Sequence, residues 1–250
     1  MLHFKRLRIR IAFYGGSVIE QLKLNIIGTI HTPFAQKFAI PRQSQALSSA
    51  QGRIAFHKDI NPVNACREIA TFSHLWLSFV FHENLEKGWK DTVRPPRLGG
   101  NKRVGVFASR STFRPCPIGL SLVRNLGLNQ NNELIVAGVD LVDATPILDI
   151  KPYLPYADCA PAASSGYIDQ AEIAKLRVEL TPQAECDLQQ IEVIHSDFRP
   201  LLCEILAQDP RPAYKQKGQD EKSYALQLYR FDVHWRVNDK GVEVMKITHA

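Results

Sequence analysis

The sequence predicts a mainly β chain, an antiparallel β-barrel domain followed by a small α+β C-terminal domain. Three observations predict it. Seven short segments rich in β-branched and aromatic residues follow one another between Leu22 and Leu154, as strands do. Turn-forming clusters separate them, with few helical stripes between, which suits a barrel. A Pro/Ala/Ser-rich stretch over 155–166 then breaks the pattern, and clear helical periodicity appears only beyond it.

Taken in order, residues 1–21 form a basic N-terminal extension carrying Gly15 and Gly16, with no chemistry assigned to it. Strands are expected over 22–31, 52–57, 75–82, 103–109, 121–128, 133–140 and 146–154. Turns fall at Gln130-Asn131-Asn132 and around Gly99-Gly100. One short helix is expected over 64–72. These elements define a barrel domain over 22–160 and a second domain over 167–250. In the second, Thr181-Pro182 is a helix start, with Thr as N-cap and Pro at the first helical position. Leu188, Ile191 and Ile194 then share one face. Another helix starts near Ser196 and shows Phe198, Leu201, Leu202, Ile205 and Leu206 as a stripe. Residues 224–237 and 242–248 read as a hairpin around Asn238 to Gly241.

Composition narrows the function classes. The chain has 250 residues, 45% of them apolar and 22% charged, as in ordinary globular proteins. The apolar run from Leu75 to Phe81 is too short to span a bilayer. The basic opening breaks before a signal-type apolar stretch forms, so a cytoplasmic protein is expected. Five cysteines, with no CxxC pair and no neighbouring His in a zinc pattern, predict reduced thiols and no metal. Residues 1–150 carry 19 Lys and Arg against 10 Asp and Glu, whereas 151–250 carry 12 against 15. That asymmetry points the N-terminal part toward a polyanion.

Three segments carry candidate chemistry. From Arg94 to Arg124 there are seven basic residues (Arg94, Arg97, Lys102, Arg103, Arg110, Arg114 and Arg124), and no acidic residue lies between Asp91 and Glu133. Uncompensated guanidinium groups are costly to bury, and they match phosphate bidentately. Gly99, Gly100 and four prolines shape the loop. A shaped loop with structural Arg–carboxylate bridges is the competing reading. The second segment alternates Leu75, Leu77, Phe79 and Phe81 on one face against His74, Trp76, Ser78, Val80 and His82 on the other, and Glu83 follows. His82 is there either a ligand-holding or a structural residue. The third leaves a strand end with Asp140 and Asp143, to bond a ribose, balance a cationic ligand, or pair with the arginines. No GxGxxG, Walker loop, HExxH or GxSxG is present, which argues against a doubly wound nucleotide-binding fold.

Together the segments FAIPRQ, FSHLWLSFVFH, TVRPPRLGG, GVFASRSTFRPCPIGLSLV and DLVDATPILDIKPYLP, in this order, resemble the TsaA-like β-barrel family. The resemblance covers about residues 22–156, and DPRPAY at 209–214 extends it. Characterised bacterial members are tRNA threonylcarbamoyladenosine N6-methyltransferases. The resemblance implies a dimeric barrel that binds S-adenosylmethionine without a Rossmann sheet and acts in the tRNA anticodon loop. By matching position it implies cofactor contacts from Pro41, Arg42, Gln43, His82, Glu83, Arg110 and Leu120, and from the run Asp140, Leu141, Val142 and Asp143. Arg94, Arg97, Lys102, Arg103 and Arg114 are then left for the RNA backbone or the substrate's threonyl carboxylate, and Arg211 and Tyr214 of DPRPAY either for the substrate base or phosphate or for a structural turn. Cys116 stands where many members carry Asn between two prolines. The competing function is a non-catalytic RNA-binding barrel that acts as an adaptor.

Overall fold

The computed structural model describes residues 23–37, 40, 48–95, 98, 102–168, 176–211, 215 and 222–250. The N-terminal extension lies outside the described residues, as do Pro41, Arg42, Gln43, Arg97 and Tyr214.

Alternating side chains build the first sheet. In β3 (His74–Val80), Leu75, Leu77 and Phe79 are buried while His74, Trp76 and Ser78 are half-buried on the outer face, the period of two that the sequence shows. In β6 (Ile118–Leu128), Gly119, Ser121 and Val123 are buried. With β1 (Gly28–His31), β2 (Gln51–Phe56), β7 (Leu134–Ala137) and β8 (Thr145–Pro152), these strands close a barrel in the order β1-β2-β7-β6-β3-β8. Every neighbouring pair is antiparallel, β8 returning to β1. Closure leaves no unpaired edge. A two-stranded ribbon, β4 (Thr92–Val93) with β5 (Val104–Gly105), projects between β3 and β6 in the chain.

Beyond the short α2 (Pro155–Asp158), the second sheet has the order β10-β11-β12-β9. Its strands are β9 (Val178–Leu180), β10 (Ser223–Leu228), β11 (Phe231–Asn238) and β12 (Gly241–His249). Only β9 runs parallel to its neighbour. Helices α3 (Pro182–Glu192) and α4 (Phe198–Ala207) accompany it; Thr181 caps α3 through its hydroxyl on the Ala184 N–H, and Pro182 sits in the first turn. A single buried cluster runs from Ile30, Ile54, Leu77 and Ile147 of the barrel to Leu188, Phe198, Leu202 and Trp235. Polar ties cross as well: the Tyr229 N–H donates to Pro33 O at 2.7 Å, and the Ser49 N–H to Glu204 at 2.7 Å.

Four expectations are corrected. The strand expected over 103–109 is only β5, followed by a 3₁₀ turn (Val106–Ala108), because the Ser109 N–H and hydroxyl both close on Val106 O, a local bond that competes with sheet pairing. The helix expected over 64–72 divides into α1 (Pro62–Ala65) and a 3₁₀ turn (Ile69–Thr71) at Glu68, whose φ is +65°. Residues 224–237 are two strands, turned at Tyr229 with φ +53°; the turn at 238–241 stands as expected. Ile194 is 74% exposed, since α3 ends at Glu192 and its buried face with it. Among the described residues no helix is long and apolar enough to cross a membrane, and all five cysteines are free.

Candidate active site

One cavity of about 490 Å³ gathers residues 80–84 from the end of β3 onward, Ser109, Arg110, Thr112 and Arg114 before β6, 118–120 at its start and 140–142 before β8. Strand register explains the gathering. Val80 pairs with Ile118 and Ser78 with Leu120, so the end of β3 lies beside the start of β6. On the other side, Phe79 pairs with Ile147 of β8, only two residues past Thr145 in the wall. Lys37 and Ile40 border the cavity from the segment after β1.

The wall is largely apolar, with Trp76, Phe79, Phe81, Ile118, Leu120, Leu141 and Val142. A Cβ at Gly119 would stand 2.3 Å from the Phe79 ring, so a larger residue there would displace that ring. Phe79 and Phe81 meet edge to face at 5.3 Å, a favoured aromatic geometry. Leu120 remains 57% exposed at the rim.

Several polar groups in the wall are held by neighbours. The Ser121 hydroxyl donates to Asp140 Oδ1. The Thr145 hydroxyl donates to Val142 O at 2.7 Å and closes the 142–145 turn. Lys37 Nζ lies 3.1 Å from Glu83 and also donates to Asn84 Oδ1, while the Asn84 amide donates to Thr112 Oγ1. This chain ties three separate segments across one side of the cavity. Asn84 is 6% exposed, and bonds on both sides of its amide satisfy the requirement for partners on burial. His82 is half-buried in the wall. Arg110 is exposed there and has no ion pair or hydrogen bond among the described residues.

The structure thus brings His82, Glu83, Arg110, Leu120, Asp140, Leu141 and Val142 to one cavity. Asp143 faces elsewhere. Its carboxylate accepts from the Thr32 N–H at 2.9 Å and lies 3.3 Å from His31 Nδ1. It lines a second, more open cavity of about 500 Å³ with Arg53, His195, Tyr229 and Arg230. Beside it, a hydrogen bond from Asn129, with Arg53 at 2.5 Å, holds the Glu133 carboxyl below the usual range.

The basic residues divide as well. Arg94, Lys102 and Arg103 are exposed on or beside the β4–β5 ribbon. Arg114 also lines the first cavity, but its Nη1 donates to Ser109 O at 2.7 Å and Val106 O at 3.2 Å, bracing the loop. Arg211 is 3% exposed and bonds Asp209 through Nε at 2.8 Å and Nη2 at 2.7 Å; this guanidinium faces protein. Lys37, Asn84, Thr112 and Ser121 carry no sequence signal that singles them out, and their place depends on pairing across the fold. Among the described residues no three His, Cys, Asp or Glu side chains form a metal-binding group.

The chain matches two family models, the tRNA-methyltransferase O N-terminal domain over residues 29–159 and the TrmO C-terminal domain over 173–250. It is 46% identical to the tRNA (adenine(37)-N6)-methyltransferase of Escherichia coli K12, over 88% of this chain and 95% of that one. It is 43% identical to the putative S-adenosylmethionine-dependent methyltransferase RcsF of Pseudomonas aeruginosa, over 84% and 90%. Among solved structures, a crystal structure of TrmO superposes with TM-score 0.77 at 33% identity, over 92% of this chain and all of that one. A TrmO structure from Pseudomonas aeruginosa gives 0.76, also at 33% identity, over 92% and 99%.

Proposed function

The chain belongs to the tRNA-methyltransferase O family, and from that premise we propose that it methylates N6 of threonylcarbamoyladenosine beside the tRNA anticodon, holding its cofactor in the 490 Å³ cavity. It is an S-adenosylmethionine-dependent tRNA adenine-N6-methyltransferase. The observation that carries the site assignment is the convergence of an apolar wall, two supported carboxylates and an arginine in one cavity inside the N-terminal family domain.

The residues present fit the cofactor by chemistry. The volume lies within the range of small-molecule sites. Phe79, Ile118, Leu120, Leu141 and Val142 offer apolar surface for a purine. Asp140, oriented by Ser121, is suited to ribose hydroxyls or an amine, and Arg110 to a carboxylate. S-adenosylmethionine supplies an electrophilic methyl group when bound. The protein's task is then positional, and holding two reactants in line contributes about 7–11 kcal/mol. A carboxylate set against the sulfonium would favour the ground state, whose positive charge disappears in the reaction. Asp140 therefore serves better on the ribose or amine. The acceptor nitrogen shares its lone pair with the ring and the carbamoyl group, so its proton passes to a base or to water.

Unpaired anticodon-loop bases enter a pocket at modest cost, and the exposed Arg94, Lys102 and Arg103 are suited to meet the phosphates. A homodimer belongs to the same reading. A partner would cover the exposed Leu120 at the cavity rim.

Transfer of a labelled methyl group to tRNA carrying threonylcarbamoyladenosine, against the same tRNA made without it, tests this reading. Label in the first and none in the second is expected. Equal labelling would overturn the hypermodified substrate, and no labelling of either would overturn the function.

A further inference from the structure

Between residues 87 and 114 eight Lys or Arg stand against one acidic residue, Asp91. Two large aromatic rings stand open in the same stretch, Phe107 at 77% exposure and Trp89 at 52%. Single exposed apolar residues need no explanation. These two are held.

Phe107 sits in the 3₁₀ turn whose first residue, Val106, is 2% exposed and anchors it. The guanidinium of Arg114 lies 5.8 Å from the centre of the Phe107 ring, within cation–π range. That guanidinium is itself fixed by the carbonyls of Val106 and Ser109, and the Tyr167 hydroxyl donates to Ala108 O at 3.0 Å. Trp89 is carried by a segment tied to the same turn: the Val106 N–H donates to Asp91 O at 2.9 Å, and the Lys90 N–H to Phe113 O at 3.3 Å. Both rings therefore stand on one braced arm, and its 109–114 loop lines the first cavity.

We infer that this arm is a base-stacking platform, on which Phe107 and Trp89 receive unpaired nucleotides flanking the target adenosine. The inference rests on the tRNA reading above. A base drawn into the cavity leaves its neighbours without a stacking partner, and an aromatic face replaces one whatever the base. The surrounding cations meet the phosphates. A second copy of the chain is the competing occupant, but a two-fold contact would set this cationic patch against itself.

Equilibrium binding of tRNA by the full chain tests the inference, with Phe107→Ala, Phe107→Leu, Phe107→Tyr and Trp89→Ala beside the wild type. Cofactor affinity by calorimetry and oligomeric state by sedimentation are read on each variant. Phe107→Ala, Phe107→Leu and Trp89→Ala are expected to weaken tRNA binding about tenfold, with salt slope, cofactor affinity and oligomeric state unchanged. Phe107→Tyr keeps the ring and stays near wild type. Unchanged tRNA binding in Phe107→Ala and Trp89→Ala overturns the platform, and a change in oligomeric state assigns the patch to a second copy. If the wild type methylates tRNA while these variants match it, only this inference fails. If the wild type transfers no methyl group, the functional reading fails first.

Discussion

Asp140 and Asp143 stand three residues apart and serve different cavities. Asp140 is held by Ser121, nineteen positions away in sequence, and Asp143 by Thr32, 111 positions away. Spacing places both carboxylates after one strand, but the direction of each depends on partners that only the closed barrel supplies. The arginines repeat the lesson. Clustering of positive charge is legible in the sequence, whereas the role of each guanidinium is not. Arg114 braces a loop, Arg211 pairs with Asp209, and Arg110 stays exposed in the cavity. The last distinction yields a prediction. Arg110→Ala weakens S-adenosylmethionine binding about tenfold or more, the scale of a charge-assisted hydrogen bond, and leaves tRNA affinity near wild type. Arg103→Ala leaves cofactor affinity alone, weakens tRNA binding and lowers the salt slope by about one phosphate contact. Calorimetry and salt-dependent binding separate the two, and equal cofactor affinity for Arg110→Ala and wild type would remove Arg110 from the site.

At the scale of elements, strands with clean alternation and helices with strong stripes are readable. β3, β6 and β8 fall close to their expected positions, and α3 starts at its Thr-Pro signal. What sequence hides is local competition. Ser109 diverts one expected strand into a turn, and Glu68 with its positive φ interrupts one expected helix. The turn at Tyr229 is less legible still, since a β-branched and aromatic stretch continues through it. Tertiary contacts fix it: the Tyr229 ring stacks on His195 at 4.1 Å, its N–H reaches the barrel at Pro33, and its hydroxyl donates to Asp197 at 2.6 Å. Burial, and then the bond to the Asp197 carboxylate, raise the Tyr229 pKa well above the ordinary value of about 10. With the folded pKa above the unfolded one, the stabilisation is complete below pH ~10 and is lost as pH rises beyond it. Alkaline denaturation should therefore steepen above pH ~10 in the wild type and be shallower in Tyr229→Phe. That variant should also lose about 1.5–3 kcal/mol at neutral pH with the hydrogen bond. Identical alkaline profiles would exclude the hydroxyl from the junction's stability.

At the scale of the molecule, the basic N-terminal half and acidic C-terminal part are plain in the sequence, and so is the barrel that follows from repeated short strands. One continuous core joins barrel and C-terminal sheet, and this junction creates a second cavity of nearly the same volume as the first. Volume alone does not choose between them. The proposed assignment rests on chemistry: the first has the apolar wall, the exposed Arg110 and the oriented Asp140, whereas the second is open and lined by His31, Asp143 and Arg230 around the stacked Tyr229. A crystal structure of the protein with S-adenosylmethionine, or with its demethylated product, decides the matter most directly. Ligand density is expected in the first cavity, with Arg110 and Asp140 within hydrogen-bonding distance of it. Density confined to the second cavity, or a ligand that touches neither residue, would contradict it.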